Sequence, residues 1–229
     1  MAKILTTAIV ADIRNKLNGS VFSKNRYGAY VRTKVTPVNP QSTAQQNVRN
    51  RLATNSQAWR GLSEAERQGW IAATANFPFT DIFGNVKFLS GNALYVSLNN
   101  NLTNTGFSAI ATAPAPVAIP ALVLTSLSAA AAVQALSLVF TPTPIPADFA
   151  VIVESTPNIG AGISFVKNQF RQISVLDAAA TSPADLLAAF QAVHGNAVAG
   201  QKIFIRAKMV STATGQAGIP VQILAIVAA

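Results

Sequence analysis

The sequence has no cysteine and a single histidine, His194. The first absence excludes disulfides, thiolate nucleophiles and cysteine-based zinc sites, and leaves the redox compartment open. The second leaves transition-metal ligation to carboxylates, and these are scarce as well, with eight Asp and Glu in 229 residues. Only Glu64/Glu66 and Asp148/Glu154 lie near one another in sequence. Residues two apart on a helix do not face each other, so the first pair is no ready acid–base dyad. Long apolar runs are missing too: Ala121–Phe140 is broken by Thr125, Ser126, Ser128, Gln134 and Ser137, short of the ~20 uninterrupted residues of a membrane helix. The apolar run after Lys3 contains paired threonines and is too short for the core of a signal peptide. Asn158-Ile-Gly160-Ala-Gly162 has no following Lys-Ser/Thr and no helix onset, so it reads as a hairpin loop and not as a phosphate loop. Together these gaps argue against an enzyme and call for no cofactor and no metal.

What is present is apolar and unevenly basic. Half of the residues are hydrophobic and 11% are charged, against ~25% charged in an average soluble domain. Such a surface suits a chain covered by partners or by its own copies. The net charge is +9, and Met1–Ala75 holds eleven basic residues against three acidic ones. The remainder holds six and five. The N-terminal third therefore carries the field, and its partner is expected to be acidic: a protein surface or nucleic acid.

Ser20–Lys24 and Ala29–Val35 read as strands flanking a loop at Asn25–Gly28, with Asn18-Gly19 a second turn. Tyr30, Arg32 and Lys34 alternate with Ala29, Val31, Thr33 and Val35, which gives one basic and one apolar face. Pro37 and Asn39-Pro40 stop the strand. A capping box at Ser42/Gln45 or Thr43/Gln46 opens a helix whose stripe is Ala44, Val48, Leu52 and Trp59, and which ends at Gly61-Leu62. Ser63–Glu66 is a cleaner box, followed by Trp70, Ala73 and Phe77 as a buried stripe. The two tryptophans are expected to pack across the turn. Arg49, Arg60 and Arg67 remain on the exposed side. A DNA-reading helix-turn-helix fits poorly, because Glu64 and Glu66 at the start of the second helix would repel phosphate.

Ser90 caps a third helix with Leu94, Leu98 and Leu102 inward, Asn99–Asn101 on and beside the exposed side, and Gly106 at its end. Ala111–Pro120, with prolines at 114, 116 and 120, is the expected spacer. Beyond it come short strands at Leu122–Leu127, Ala135–Phe140, Phe149–Glu154, Ser164–Val175, Lys202–Val210 and Pro220–Val227. Their spacing predicts an antiparallel sandwich. Ser182-Pro183 is expected to cap one inserted amphipathic helix that runs to Val193. His194 follows that helix, where a protonated imidazole suits the C-terminal carbonyls better than it suits catalysis.

Gly19–Gly28, Arg32, Asn39-Pro40, Thr43, Gln45-Gln46 and Arg49, then Trp59, Leu62-Ser63, Arg67, Trp70, Leu89–Gly91 and Leu98–Leu102, resemble a module of uncharacterised proteins of tailed bacteriophages and prophages. The likeness spans roughly residues 1–110, and the C-terminal half is similar in texture to immunoglobulin-like or fibronectin type III-like modules. The resemblance implies a virion structural protein with no catalytic residues to transfer. Its partners would be other virion proteins (major capsid, portal, neck or tail), and it would be present as an oligomer or in many copies.

The expected fold is α+β in two domains: a β-hairpin and three-helix docking module over 1–110, a linker over 111–120, and an immunoglobulin-like sandwich with one inserted helix over 121–229. The expected partner-binding residues are Lys24, Arg26, Arg32, Lys34, Arg49, Arg60 and Arg67. A nucleic-acid-binding protein of the particle and a bacterial surface or adhesion module are the alternatives.

Overall fold

The computed structural model describes residues 2–3, 13–25, 28–36, 38–39, 41–80 and 83–229. Residues 4–12, the loop residues Arg26 and Tyr27, and Pro37 and Pro40 lie outside them. The architecture is mixed α+β, as the sequence predicts. Contacts divide it into two compact units, residues 1–46 and 47–229.

The first unit is a four-stranded antiparallel sheet of β1 (Ala2–Lys3), β2 (Asn15–Leu17), β3 (Ser20–Asn25) and β4 (Gly28–Thr33), in the order β1-β4-β3-β2. Asn18, at φ 48°, opens the two-residue turn that sets Leu17 opposite Ser20. None of the residues 13–46 with a described side chain is buried.

In the second unit, α1 (Thr43–Gly61, begun in the first unit), α2 (Glu64–Ala73) and α3 (Gly91–Asn104) form a helical module. A small ribbon, β5 (Phe79–Thr80) with β6 (Val86–Lys87), links α2 to α3. Ser63 and Glu66 make the full capping box: the Ser63 N–H donates to Glu66 Oε2 at 2.8 Å and the Glu66 N–H to Ser63 Oγ at 3.3 Å. At α1, Ser42 forms the cap, its Oγ accepting from the Gln45 N–H at 3.4 Å. The module's core is Leu62, Trp70, Leu94, Tyr95 and Leu98. The two tryptophans belong to this one cluster. Both pack on Tyr95, Trp59 tilted at 5.4 Å and Trp70 edge-on at 5.2 Å, as ring quadrupoles favour.

The stripe expected on α1 is corrected along its first half. Val48 and Leu52 are 55% and 49% exposed, Ala44 is exposed, and the one buried side chain of α1 is Asn55. The asparagines of α3 also depart from expectation. Asn99 is fully buried, accepting from the Ile110 N–H at 2.7 Å and donating to Ile110 O at 3.2 Å. Asn100 Oδ1 accepts from Asn55 Nδ2 at 2.7 Å, Asn101 Nδ2 donates to Gly215 O at 2.8 Å, and Asn104 Oδ1 accepts from Arg51 Nη1. Leucine spacing identifies the inner face of a helix, but it does not report amides that find partners on both flanks of it. The helix ends in a Schellman turn, with Gly106 at φ 86° and the Phe107 N–H on Leu102 O at 2.9 Å.

The sandwich faces a three-stranded sheet with a four-stranded one. The first has the order β11 (Ala184–Asp185), β8 (Ala135–Thr141), β7 (Val123–Ala130). The second has the order β10 (Arg171–Leu176), β9 (Phe149–Ser155), β12 (Lys202–Ser211), β13 (Val221–Ile226). All pairings are antiparallel. With β12 between β9 and β13, and β11 beside β8, this is the Greek-key order of immunoglobulin-type sandwiches. Leu136, Leu138 and Phe140 meet Val151, Val153, Ile203 and Ile205 in the core, and Phe190 of α4 (Leu187–His194) closes it. In β12, Ile203, Ile205 and Ala207 take the buried face. Phe204 on the outer face is nevertheless covered by Val166 and Ile159, with Phe170 packed against them, because residues 164–170 form a loop and not the start of β10. There Arg206 pairs with Glu154 at 2.5 Å and lies 4.3 Å over the Phe170 ring. Ser182-Pro183 leads into β11, Ser182 Oγ accepting from the Phe140 N–H at 3.0 Å. The N-terminal contact of α4 is Asp185 Oδ1 on the Leu187 N–H at 2.9 Å.

The expected spacer is a strap within the second unit, and contacts do not divide there. Trp70 Nε1 donates to Ala111 O at 2.6 Å, the Val117 N–H donates to Gln216 Oε1 at 2.9 Å, and Ile119 packs on the sandwich core. Proline makes the stretch extended, and an extended chain lies well along a surface. Gly215, at φ 74°, lets its loop touch α3: a Cβ there would fall 2.2 Å from Leu98 O. Gly215→Ala combines a disfavoured backbone region with a clash against helix backbone, so it is expected to destabilise the second unit by roughly 2–4 kcal/mol in a urea titration.

Candidate docking surface

The N-terminal sheet sorts its cations by register. Residues paired across antiparallel strands share a face, so Lys16, Val21 and Arg32 form one row, with Ser23 and Tyr30 beside it. Leu17, Phe22, Ala29, Val31 and Lys24 take the other face. Lys16, Lys24 and Arg32 are exposed, as is Lys34, whose N–H donates to Gly19 O at 2.8 Å just past β4. Lys24 and Arg32 thus lie on opposite sides of the sheet. Arg26 lies outside the described residues. Lys16 is the member missed by sequence reasoning, although Asn18-Gly19 contains the signal: a two-residue turn puts Lys16 opposite Val21, beside Arg32.

On α1, Arg49 and Arg60 are both exposed. Eleven residues apart is three turns, so they share one face about 16 Å apart along the axis. Arg51 points the other way, toward α3. Between Thr43 and Gly61 there is no acidic residue.

Arg67, 37% exposed, is engaged within its own module. Its Nη2 and Nε donate to Leu62 O at 2.7 and 3.1 Å, and Glu64 lies 3.7 Å from its Nη1. It satisfies a carbonyl at the end of α1 and closes the α1–α2 turn, which leaves Glu64 partly neutralised. Truncating it in Arg67→Met is expected to lower stability by roughly 1 kcal/mol in thermal or urea melts, since one charge-assisted contact to a carbonyl is lost.

His194 ends α4, its ring 5.2 Å from that of Phe190, with Nε2 buried and unpartnered. Burial pushes its pKa below the ordinary 6.5, a hydrogen bond with the Ser155 backbone opposes this, and the Arg171 charge adds to the lowering. The neutral imidazole is favoured, so the expected protonated cap is corrected. Among the described residues no group of three or more His, Asp or Glu could hold a metal ion, and no helix is long and apolar enough to cross a membrane.

No family model, no curated protein and no solved structure matches this chain.

A depressed His194 pKa means the unfolded chain takes up a proton that the folded chain refuses. Stability is therefore expected to be level above pH 6.5 and to fall as pH drops below it, with the fall absent in His194→Gln. Glu66, lowered by its Ser63 hydrogen bonds, loses its contribution only below pH 4.5, so the His194 fall begins at the higher pH in pH-dependent melts.

Proposed function

We propose that this chain is a structural subunit of a tailed-bacteriophage particle, a decoration-type or head–tail component. It docks through its basic N-terminal region and presents the β-sandwich. The observation that carries this reading is the N-terminal sheet, in which none of the described side chains of residues 13–46 is buried. A sheet requires a second layer to bury one face. Seven of the seventeen basic residues but one of the eight acidic residues fall within 1–46. A second copy would be repelled, whereas an acidic protein surface would be attracted. The Leu17–Phe22–Val31 face supplies apolar contact and the Lys16–Arg32 row supplies charge, a combination suited to protein. The module resemblance and the apolar composition point the same way. Candidate partners are the major capsid, portal, neck or tail proteins, with the chain located in the virion after synthesis in the host.

Nucleic acid binding is the second reading. It is weakened by the separation of Lys24 from Arg32, because a phosphate backbone tracks one face.

The test is co-sedimentation of the purified full-length chain with its particles, beside a variant carrying Lys16→Glu, Lys24→Glu, Arg32→Glu and Lys34→Glu. These side chains are exposed, so the melt of the second unit should not change. Binding is expected to weaken at least tenfold, about 1.4 kcal/mol. Equal binding by the variant refutes docking through this region, and loss of binding after nuclease treatment favours nucleic acid.

A further inference from the structure

Helix α1 meets α3 through polar side chains, and a cavity of about 180 Å³ opens between them, lined by Val48, Arg51, Asn100, Asn101 and Asn104. Its hydrogen bonds leave a bias. The carbonyl oxygens of Asn100 and Asn104 each accept one bond, from Asn55 and Arg51 respectively. An Asn side chain has one acceptor oxygen and one amide NH₂, and a guanidinium has five N–H donors. The lining therefore has the amide NH₂ groups of Asn100 and Asn104 and the remaining Arg51 fork as donors. Its side-chain acceptors are Asn101 Oδ1, whose amide is directed to Gly215, and the second lone pairs of Asn100 and Asn104 Oδ1, so N–H donors and one full positive charge predominate. No acidic side chain lines the cavity.

We propose that this cavity is a carboxylate-binding site that receives an Asp or Glu side chain of the protein on which the chain docks. A half-buried guanidinium beside fixed amide donors matches the planar two-oxygen geometry of a carboxylate. Val48, 55% exposed at the rim, with Leu52 49% exposed one turn on, offers an apolar bed for the methylenes of such a side chain. A sugar–phosphate chain would meet those side chains unfavourably and would find a single cation in the lining. The site rests on the docking reading only for the owner of the carboxylate.

The experiment is an NMR titration of the isotope-labelled full-length chain with glutarate, following the side-chain amide signals of Asn100 and Asn104. Saturable shifts are expected with a dissociation constant on the order of 1–10 mM, absent with phosphate or chloride at equal ionic strength. Arg51→Lys keeps the charge but loses the fork, and should weaken binding about tenfold. Val48→Glu, one turn before Arg51, leaves the Arg51–Asn104 contact in place and fills the cavity from within, so glutarate should no longer shift these signals. No glutarate shift in the native chain, equal binding by Arg51→Lys, or equal shifts with phosphate would overturn the carboxylate assignment. Glutarate binding without particle binding would instead reject the docking reading and leave the site standing.

Discussion

An amide buried without partners costs more than a buried methyl gains, and α3 places Asn99 fully inside, with Asn100, Asn101 and Asn104 half-buried and hydrogen-bonded beside it. Asn99 ties the chain at Ile110, Asn100 ties α1 at Asn55, Asn101 ties the β12–β13 loop at Gly215, and Asn104 ties α1 at Arg51. Each bond forms only if the segment opposite arrives at the right depth and angle. The leucines of α3 supply the apolar drive, and the asparagines select which arrangement of α1, strap and loop that drive produces. Gly215 belongs to the same constraint, since only a residue without a Cβ lets its loop reach Asn101.

The elements whose signals are local were legible in the sequence. Ser63 and Glu66 announce the start of α2 because the capping box is a contact between residues three apart. Ile203, Ile205 and Ala207 announce the inner face of β12 because strand periodicity is two. What was not legible is long-range. Asn99 and Ile110 look like ordinary loop and helix-face residues until the chain turns back at Gly106. Val48 and Leu52 read as core because periodicity records amphipathicity, not whether anything lies opposite. The same holds for Phe204, whose cover comes from a loop that sequence pattern assigns to a strand.

The candidate surface was half legible for a related reason. Charge counting finds the N-terminal field, since it needs only composition. It cannot sort Lys24 from Arg32, which depends on which residues β3 and β4 place opposite each other. Nor can it tell Arg67, turned inward onto Leu62 O, from Arg60, turned outward on α1. An arginine becomes structural when a helix end leaves a carbonyl within its reach, and that is decided by the turn between α1 and α2.

The strap over residues 110–119 alters how the second unit comes apart. A free spacer would leave the tryptophan core and the sandwich core to open independently, like beads on a string. Here Trp70, Asn99, Gln216 and the sandwich interior all grip the same short stretch. Separating the helices from the sandwich therefore strips both cores of contacts at once, and the two behave as one cooperative block in local opening. Hydrogen exchange along α3 and along β12 would then report a shared event, although one belongs to a helix bundle and the other to a sheet.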